Sequence, residues 1–163
     1  MAITKIIADS ITSGAIANTP AFEAYLSSAQ SVSDATETKV QCDTEVFDSD
    51  NCYDNSTNYR FTPTVAGKYF VYVNLLGKAS GDNLLASQIA TIKKNGSEYA
   101  ASNVQFFTNY EKQHTIMISH IIDMNGSSDY VEFFGYVNII SGSATFSVDS
   151  PKANVFGAYK IIE

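Results

Sequence analysis

Two histidines, two cysteines and one knot of carboxylates are what this sequence offers for chemistry. Spacing limits each of them. His114 and His120 have the same parity on an alternating run with Ile116, Ile118 and Ile122, so they share one strand face. Six residues along a strand put them ~20 Å apart, too far to ligate one metal ion within a single chain. Across a threefold axis three copies of one histidine could meet; the alternative is a pair of edge or interface histidines with ordinary hydrogen bonds. The stretch "DSDNCYD" places Asp48, Asp50, Asn51 and Asp54 in one turn, the hard oxygen donors that calcium prefers. It lacks the glycine and the terminal Glu of the helical calcium loop, and acidic turns are commonly only turns. Calcium at Asp48, Asp50 and Asp54 is the one cofactor the sequence suggests. If Asp48 to Asn51 turns back as a hairpin, Cys52 faces Phe47 and Cys42 lies ~17 Å along the ladder. Two buried free thiols are then preferred over a disulfide. The chain has no nucleophile elbow, no phosphate loop and no histidine beside a Cys or Ser in a known motif. Glu45, Glu111 and Glu132 could pair in space as a glycosidase dyad, although a depolymerase usually needs a long groove of aromatics and acids as well. The reading is non-enzymatic.

The elements that must position these residues are strands. Apolar runs rich in Val, Ile, Phe and Tyr recur between clusters of Gly, Asn, Asp and Ser, and helix signals are weak. Ten strands are expected, at about 21–28, 39–47, 58–62, 68–77, 84–94, 98–107, 113–123, 130–139, 144–149 and 155–162. "KNGS", "MNGSSD" and "SGS" supply the positive φ angles of tight turns. Asn55, Asn95 and Asn125 each begin a glycosylation pattern, which in a cytoplasmic setting is only a turn. Many short antiparallel strands make a sandwich or a barrel, not a parallel sheet wrapped by helices. At 163 residues the chain fits one domain, residues 20–163, preceded by a short arm, residues 1–19. The arm is small and polar with isolated Ile3, Ile6, Ile7, Ile11 and Ile16, too sparse for a core but oily enough to want a docking surface.

Two strands are oily on both faces. In "GKYFVYVNLLG" Tyr69, Val71, Val73 and Leu75 point one way, while Phe70, Tyr72 and Leu76 point the other. "YVEFFGYVNI" repeats the pattern, with Tyr130, Phe134 and Tyr136 opposite Val131, Phe133, Val137 and Ile139. A sandwich strand normally turns one face to the core. At roughly 25 cal/mol per Å2, several aromatics left in water would forgo several kcal/mol. The net charge of -7 repels a nucleic-acid backbone or an anionic membrane surface. The economical cover is another copy of the same chain, placing Phe70, Tyr72, Tyr130, Phe134 and Tyr136 in a homo-oligomer interface.

"AFEAYLSS", "YDNSTNYRFTPTVAGKYFVYVNL", "IATIKKNGSEY", "SSDYVEFFGYV" and the closing "FGAYKII" resemble, in this order, the strand signatures of the C1q and tumour-necrosis-factor superfamily. The block around Tyr53-Asp54, Phe61-Thr62-Pro63, Gly67 and Tyr69 carries most of the likeness. The chain is similar in particular to the stand-alone copies found in phages of marine cyanobacteria, whose ends read much like "FGAYKIIE". This resemblance implies an all-β, ten-strand antiparallel jelly roll assembled as a trimer around aromatic faces. No collagen repeat precedes the domain, and Cys42 stands where the phage relatives usually carry an aromatic.

No apolar run approaches the ~20 residues that cross a bilayer, and the start lacks the continuous oily stretch of a signal peptide, so neither membrane insertion nor secretion is expected. The expectation is a homotrimeric structural protein on the virion surface, made in the host cytoplasm. Its arm would dock on other virion proteins of capsid or tail. Capsid decoration is favoured over a fibre because no shaft is present. The alternative is a tail- or head-fibre adhesion module that meets host surface glycans or proteins through loops such as "GKASGDN" and "NIISGSA".

Overall fold

The computed structural model describes residues 18–161, and it is all-β. In chain order the strands are β1 (Ala21–Tyr25), β2 (Gln30–Val32), β3 (Thr38–Lys39), β4 (Thr44–Asp48), β5 (Tyr53–Asp54), β6 (Arg60–Phe61), β7 (Gly67–Ala79), β8 (Leu85–Lys94), β9 (Ser97–Gln105), β10 (Gln113–Met124), β11 (Val131–Ile139), β12 (Ala144–Phe146) and β13 (Val155–Lys160). They form two antiparallel sheets with a jelly-roll order. In the seven-stranded sheet β10 pairs β7, and β7 pairs both β13 and β12; β13 leads on to β1 and β4, and β12 to β2. The six-stranded sheet runs β5-β6-β11-β8-β9, with β3 also on β11.

The ten expected strands are all present, with two additions and one split. The expected 39–47 strand is interrupted: β3 belongs to the six-stranded sheet and β4 to the other. β2 and β5, two or three residues long, are too short to show an alternation. Asp48 to Asn51 is not a hairpin turn. It carries the chain from β4 in one sheet to β5 in the other, with Asn51 at φ 54°. The cysteines are free and buried in spite of this different path. Cys42 lies beside the backbone oxygen of Asn154, and burial, followed by the charge of Asp43, pushes its thiol far above the ordinary range. Cys52 sits against Thr64 and the Asp50 carbonyl.

Period-two patterning puts Tyr69, Val71, Val73 and Leu75 of β7 in the core, facing Phe133 and Val137 of β11. At the end near the chain termini the core is aromatic. Phe22 stacks on Tyr53 at 4.5 Å and on Phe61 at 4.7 Å, and meets Phe156 edge-on at 4.9 Å. Tyr53 satisfies its hydroxyl by donating to the Cys42 carbonyl at 2.8 Å. At the other end the core is partly polar. Gln88 is fully buried and donates from Nε2 to the Leu75 carbonyl at 2.9 Å. Position 77 must be glycine to admit it, since a Cβ there would stand 2.5 Å from the Gln88 amide oxygen. Asn154, also fully buried, accepts from the Leu76 amide at 2.7 Å and donates to the Ser147 carbonyl at 2.6 Å, bracing the loop before β13.

Both ends of the described chain lie at one pole. The Lys160 amide donates to the carbonyls of Asn18 and Pro20, so residue 18 emerges where β13 finishes. The loops after β7, β9 and β11 form the opposite pole, where Ala79 donates to the Lys112 carbonyl and Ile140 to that of Leu84.

Candidate interaction faces

The outer face of the seven-stranded sheet is built by cross-strand rows. Tyr72 of β7 is flanked by Gly157 of β13 and Ser119 of β10, and Phe70 by Tyr159 and Ile121. The Phe70 ring lies 5.4 Å from that of Tyr159 and 6.2 Å from that of Tyr72. Gly157 provides the bed for Tyr72: a Cβ there would fall 2.3 Å from the phenol. The ring therefore lies across β13, and its hydroxyl donates to Glu23 Oε2 of β1 at 2.7 Å. Burial first, then the hydrogen bond to the Glu23 carboxylate, pushes the Tyr72 phenol well above its ordinary range. The other oxygen of Glu23 faces Lys152 at 3.7 Å. A groove of about 400 Å3 runs between β7 and β10, lined by Phe70, Tyr72, Asn74, Met117 and Ser119 among others. Around it Met117 is 72% exposed, Ile121 53% and Phe47 48%, so this face is open and largely apolar.

The five aromatics assigned to one interface do not converge. Phe70 and Tyr72 share the face just described. Tyr130, Phe134 and Tyr136 belong to the six-stranded side, on the opposite surface of the sandwich or at its edge. There the chain covers two of the three rings, those of Phe134 and Tyr130. Lys93 Nζ lies 4.2 Å and Lys39 Nζ 5.6 Å from the centre of Phe134, and Arg60 stacks 4.5 Å over Tyr130. The lysines are held by carboxylates, Lys39 by Glu132 at 2.5 Å and Lys93 by Glu37 at 2.6 Å. The aliphatic stems thus shield what strand alternation alone would leave bare.

Sequence reasoning missed Met117, Ile121 and Tyr159 on the open face. A signal was available for two of them. In "QHTIMISHIIDM" the even positions carry the histidines and most isoleucines, so Met117 and Ile121 are apolar residues on the otherwise polar odd face.

The remaining site residues are dispersed. Asp48 accepts from the Tyr53 amide at 2.8 Å, and Asp50 from the Ser49 hydroxyl at 2.5 Å. Both oxygens of Asp54 are engaged by its own turn: Oδ1 accepts from the amides of Ser56 and Thr57, Oδ2 from the amide and side chain of Asn58. Among the described residues no three His, Cys, Asp or Glu side chains are placed to hold one metal ion. His114 packs edge-on against Phe106 at 5.5 Å and His120 against Tyr99 at 6.1 Å, so each histidine of β10 meets an aromatic from β9 or the loop after it. Ile3, Ile6, Ile7, Ile11 and Ile16 lie outside the described residues.

The Asp54 turn has a testable pH dependence. Amide donation by Thr57 above all, then by Ser56, with the Asn58 side chain, holds the Asp54 carboxyl well below its ordinary value of 3.8. With the folded pKa below the unfolded one, this group adds stability above pH 3.8 and loses it as pH falls from there through the folded value. In an NMR titration the Asp54 carboxyl carbon should stay at its ionised shift down to pH 3.8; a midpoint at or above that value would contradict the turn geometry.

No family model and no curated protein matches the sequence. Solved structures do match its fold. The globular domain of zebrafish complement 1qA protein superposes with a TM-score of 0.61 at 12% identity, over 89% of this chain and 99% of that one. The Eiger TNF of S. frugiperda gives 0.56 at 12% identity, over 88% and 91%. Murine APRIL gives 0.58 at 11% identity, over 86% and 98%. The fold is a C1q/TNF-like jelly roll.

Proposed function

We propose that this protein is a non-enzymatic homotrimer of a phage virion surface, a capsid decoration or cement protein docked through its N-terminal arm. The observation that carries the trimer is the open apolar face of the seven-stranded sheet, centred on Phe70 and Tyr72 and continued by Met117, Ile121 and Tyr159. Charge permits copies to meet there in spite of -7 per chain, because the one acid beside Tyr72, Glu23, is engaged by the Tyr72 hydroxyl and faced by Lys152. In a ring of three the contact is heterologous, so a face meets a different patch of its neighbour. β10 is an edge strand of the sheet, pairing with β7 alone, and its Met117 and Ile121 carry the apolar surface round to Tyr99, whose hydroxyl donates to the Ile121 carbonyl at 3.2 Å. That edge is the complementary patch in this reading.

The virion assignment is supported by the likeness of "FGAYKIIE" and the strand signatures to stand-alone phage copies. Polarity supports it too: residue 18 leaves at one pole, so an arm fixed to a particle would turn the other pole outward. Deleting residues 1–19 should leave a soluble trimer that no longer binds particles, measured by co-sedimentation with particles lacking the protein. Truncated trimers that still decorate them would refute docking through the arm. Copy number separates the two virion roles, on the order of hundreds per particle for decoration against a dozen or so for fibres.

A further inference from the structure

A second concave patch lies on the outer surface of the six-stranded sheet, at the pole away from residue 18. It is shallow and open, with room for about 400 Å3 over Ser87, Gln105, Phe107, Tyr110, Asn138 and Ile140. Its floor is a cross-strand row: Asn138 of β11 is opposite Ser87 of β8, and Ser87 is opposite Gln105 of β9. With strands about 4.8 Å apart, this row spaces two amides and a hydroxyl at even intervals over roughly 10 Å. Rings and an aliphatic chain form the rim. Phe107 is 81% exposed and Ile140 53%, exposures that nothing in the fold of the single chain requires.

Three features narrow what fits. First, the polar groups are uncommitted: among the described residues the side chains of Ser87, Gln105, Tyr110 and Asn138 make no hydrogen bond. Asn58, Asn95 and Asn125, by contrast, are held in their own turns. Second, no lining side chain is charged, in a chain of net charge -7, so nothing there would neutralise a phosphate or carboxylate. Third, exposed ring faces and neutral donor-acceptor groups sit side by side. A pyranose presents the matching pattern, an apolar C–H face bordered by hydroxyls that both donate and accept. Amides answer such hydroxyls with both functions at once.

We propose that this patch is a binding site for a neutral saccharide, with Phe107 and Tyr110 taking the C–H face and Gln105, Ser87 and Asn138 the hydroxyls. The site goes beyond the structural role above and does not depend on the trimer: none of its lining residues is among those named for the contact between copies, which reaches the six-stranded sheet only at Tyr99 of β9.

Saturation-transfer NMR on the full chain tests it, with maltotriose, cellotriose and mannotriose as probes at about 5 mM, suited to a weak site, and sialyllactose as the charged comparison. Transfer to ring protons of at least one neutral trisaccharide is expected. It should fall about tenfold or more in Phe107→Ala and in the double variant Gln105→Ala/Asn138→Ala. These side chains lie on the surface, so unchanged amide shifts in the rest of the molecule will show that the variants are folded. The proposal is overturned by absence of transfer from all three neutral probes, by transfer that persists in the variants, or by equal transfer from sialyllactose. Sedimentation of the same samples keeps a failure of the trimer separate from a failure of this site.

Discussion

Met117→Glu should sediment as a folded monomer under conditions where the unaltered chain sediments as a trimer. The side chain is 72% exposed in the single chain, so the substitution removes no core contact. Its cost arises only on assembly, where a carboxylate would be drawn out of water against Phe70 and Tyr72 without a cation to meet it. A buried unpaired charge costs on the order of 3–5 kcal/mol. That is at least a hundredfold per contact, and a closed ring makes three contacts. Phe134→Ala is the matching comparison on the opposite surface, where Lys39 and Lys93 cover the ring, and it should remain trimeric. Analytical ultracentrifugation at micromolar concentration decides. A monomeric parent chain, or a trimeric Met117→Glu, would sink the proposed face.

The second large effect belongs to the core. Phe22→Ala should lower unfolding free energy by about 3–5 kcal/mol, the range for removing a buried aromatic whose neighbours cannot collapse into the space. Phe22 is fully buried and touches three rings, those of Tyr53, Phe61 and Phe156. These rings come from both sheets, so the cavity would open between the layers and not within one of them. A fall in melting temperature of roughly 10 °C is expected for a domain of this size. The measurement is best made in the Met117→Glu background, where assembly does not add to apparent stability. A loss below about 1 kcal/mol would mean that the aromatic cluster does not tie the sheets together.

Much of this architecture was legible in the sequence because its information is local. Alternation located β7, β8, β9, β10 and β11 almost to the residue, and turn chemistry placed "KNGS" between β8 and β9. Parity also sorted Phe70 and Tyr72 from Tyr69 and Val71 correctly. What parity does not contain is which sheet a strand joins. Phe70 and Phe134 look equivalent along their strands, yet they lie on opposite sides of the molecule, because β7 and β11 belong to different layers. The same absence explains the misread turn at Asp48 to Asn51: its composition suits a hairpin, while its partners, β1 for β4 and β6 for β5, lie elsewhere in the chain. The cover over Phe134 was invisible for a related reason. Lys39 and Lys93 are remote in sequence and reach the ring only because β3 and β8 both pair with β11. The row of Asn138, Ser87 and Gln105 is likewise a product of three registers, with no motif to announce it.

The opening strand has the closing strand for a partner: β1 pairs with β13, which in turn lies between β1 and β7. A nascent chain on the ribosome therefore lacks the middle of its larger sheet until β13 has emerged, well after β1 and β7, and such long-range pairing is slow to form. An abortive product missing β13 would have neither the Gly157 bed for Tyr72 nor Tyr159 beside Phe70. In the proposed trimer such incomplete chains would lack part of the contact face, so strand order would keep them from joining intact copies.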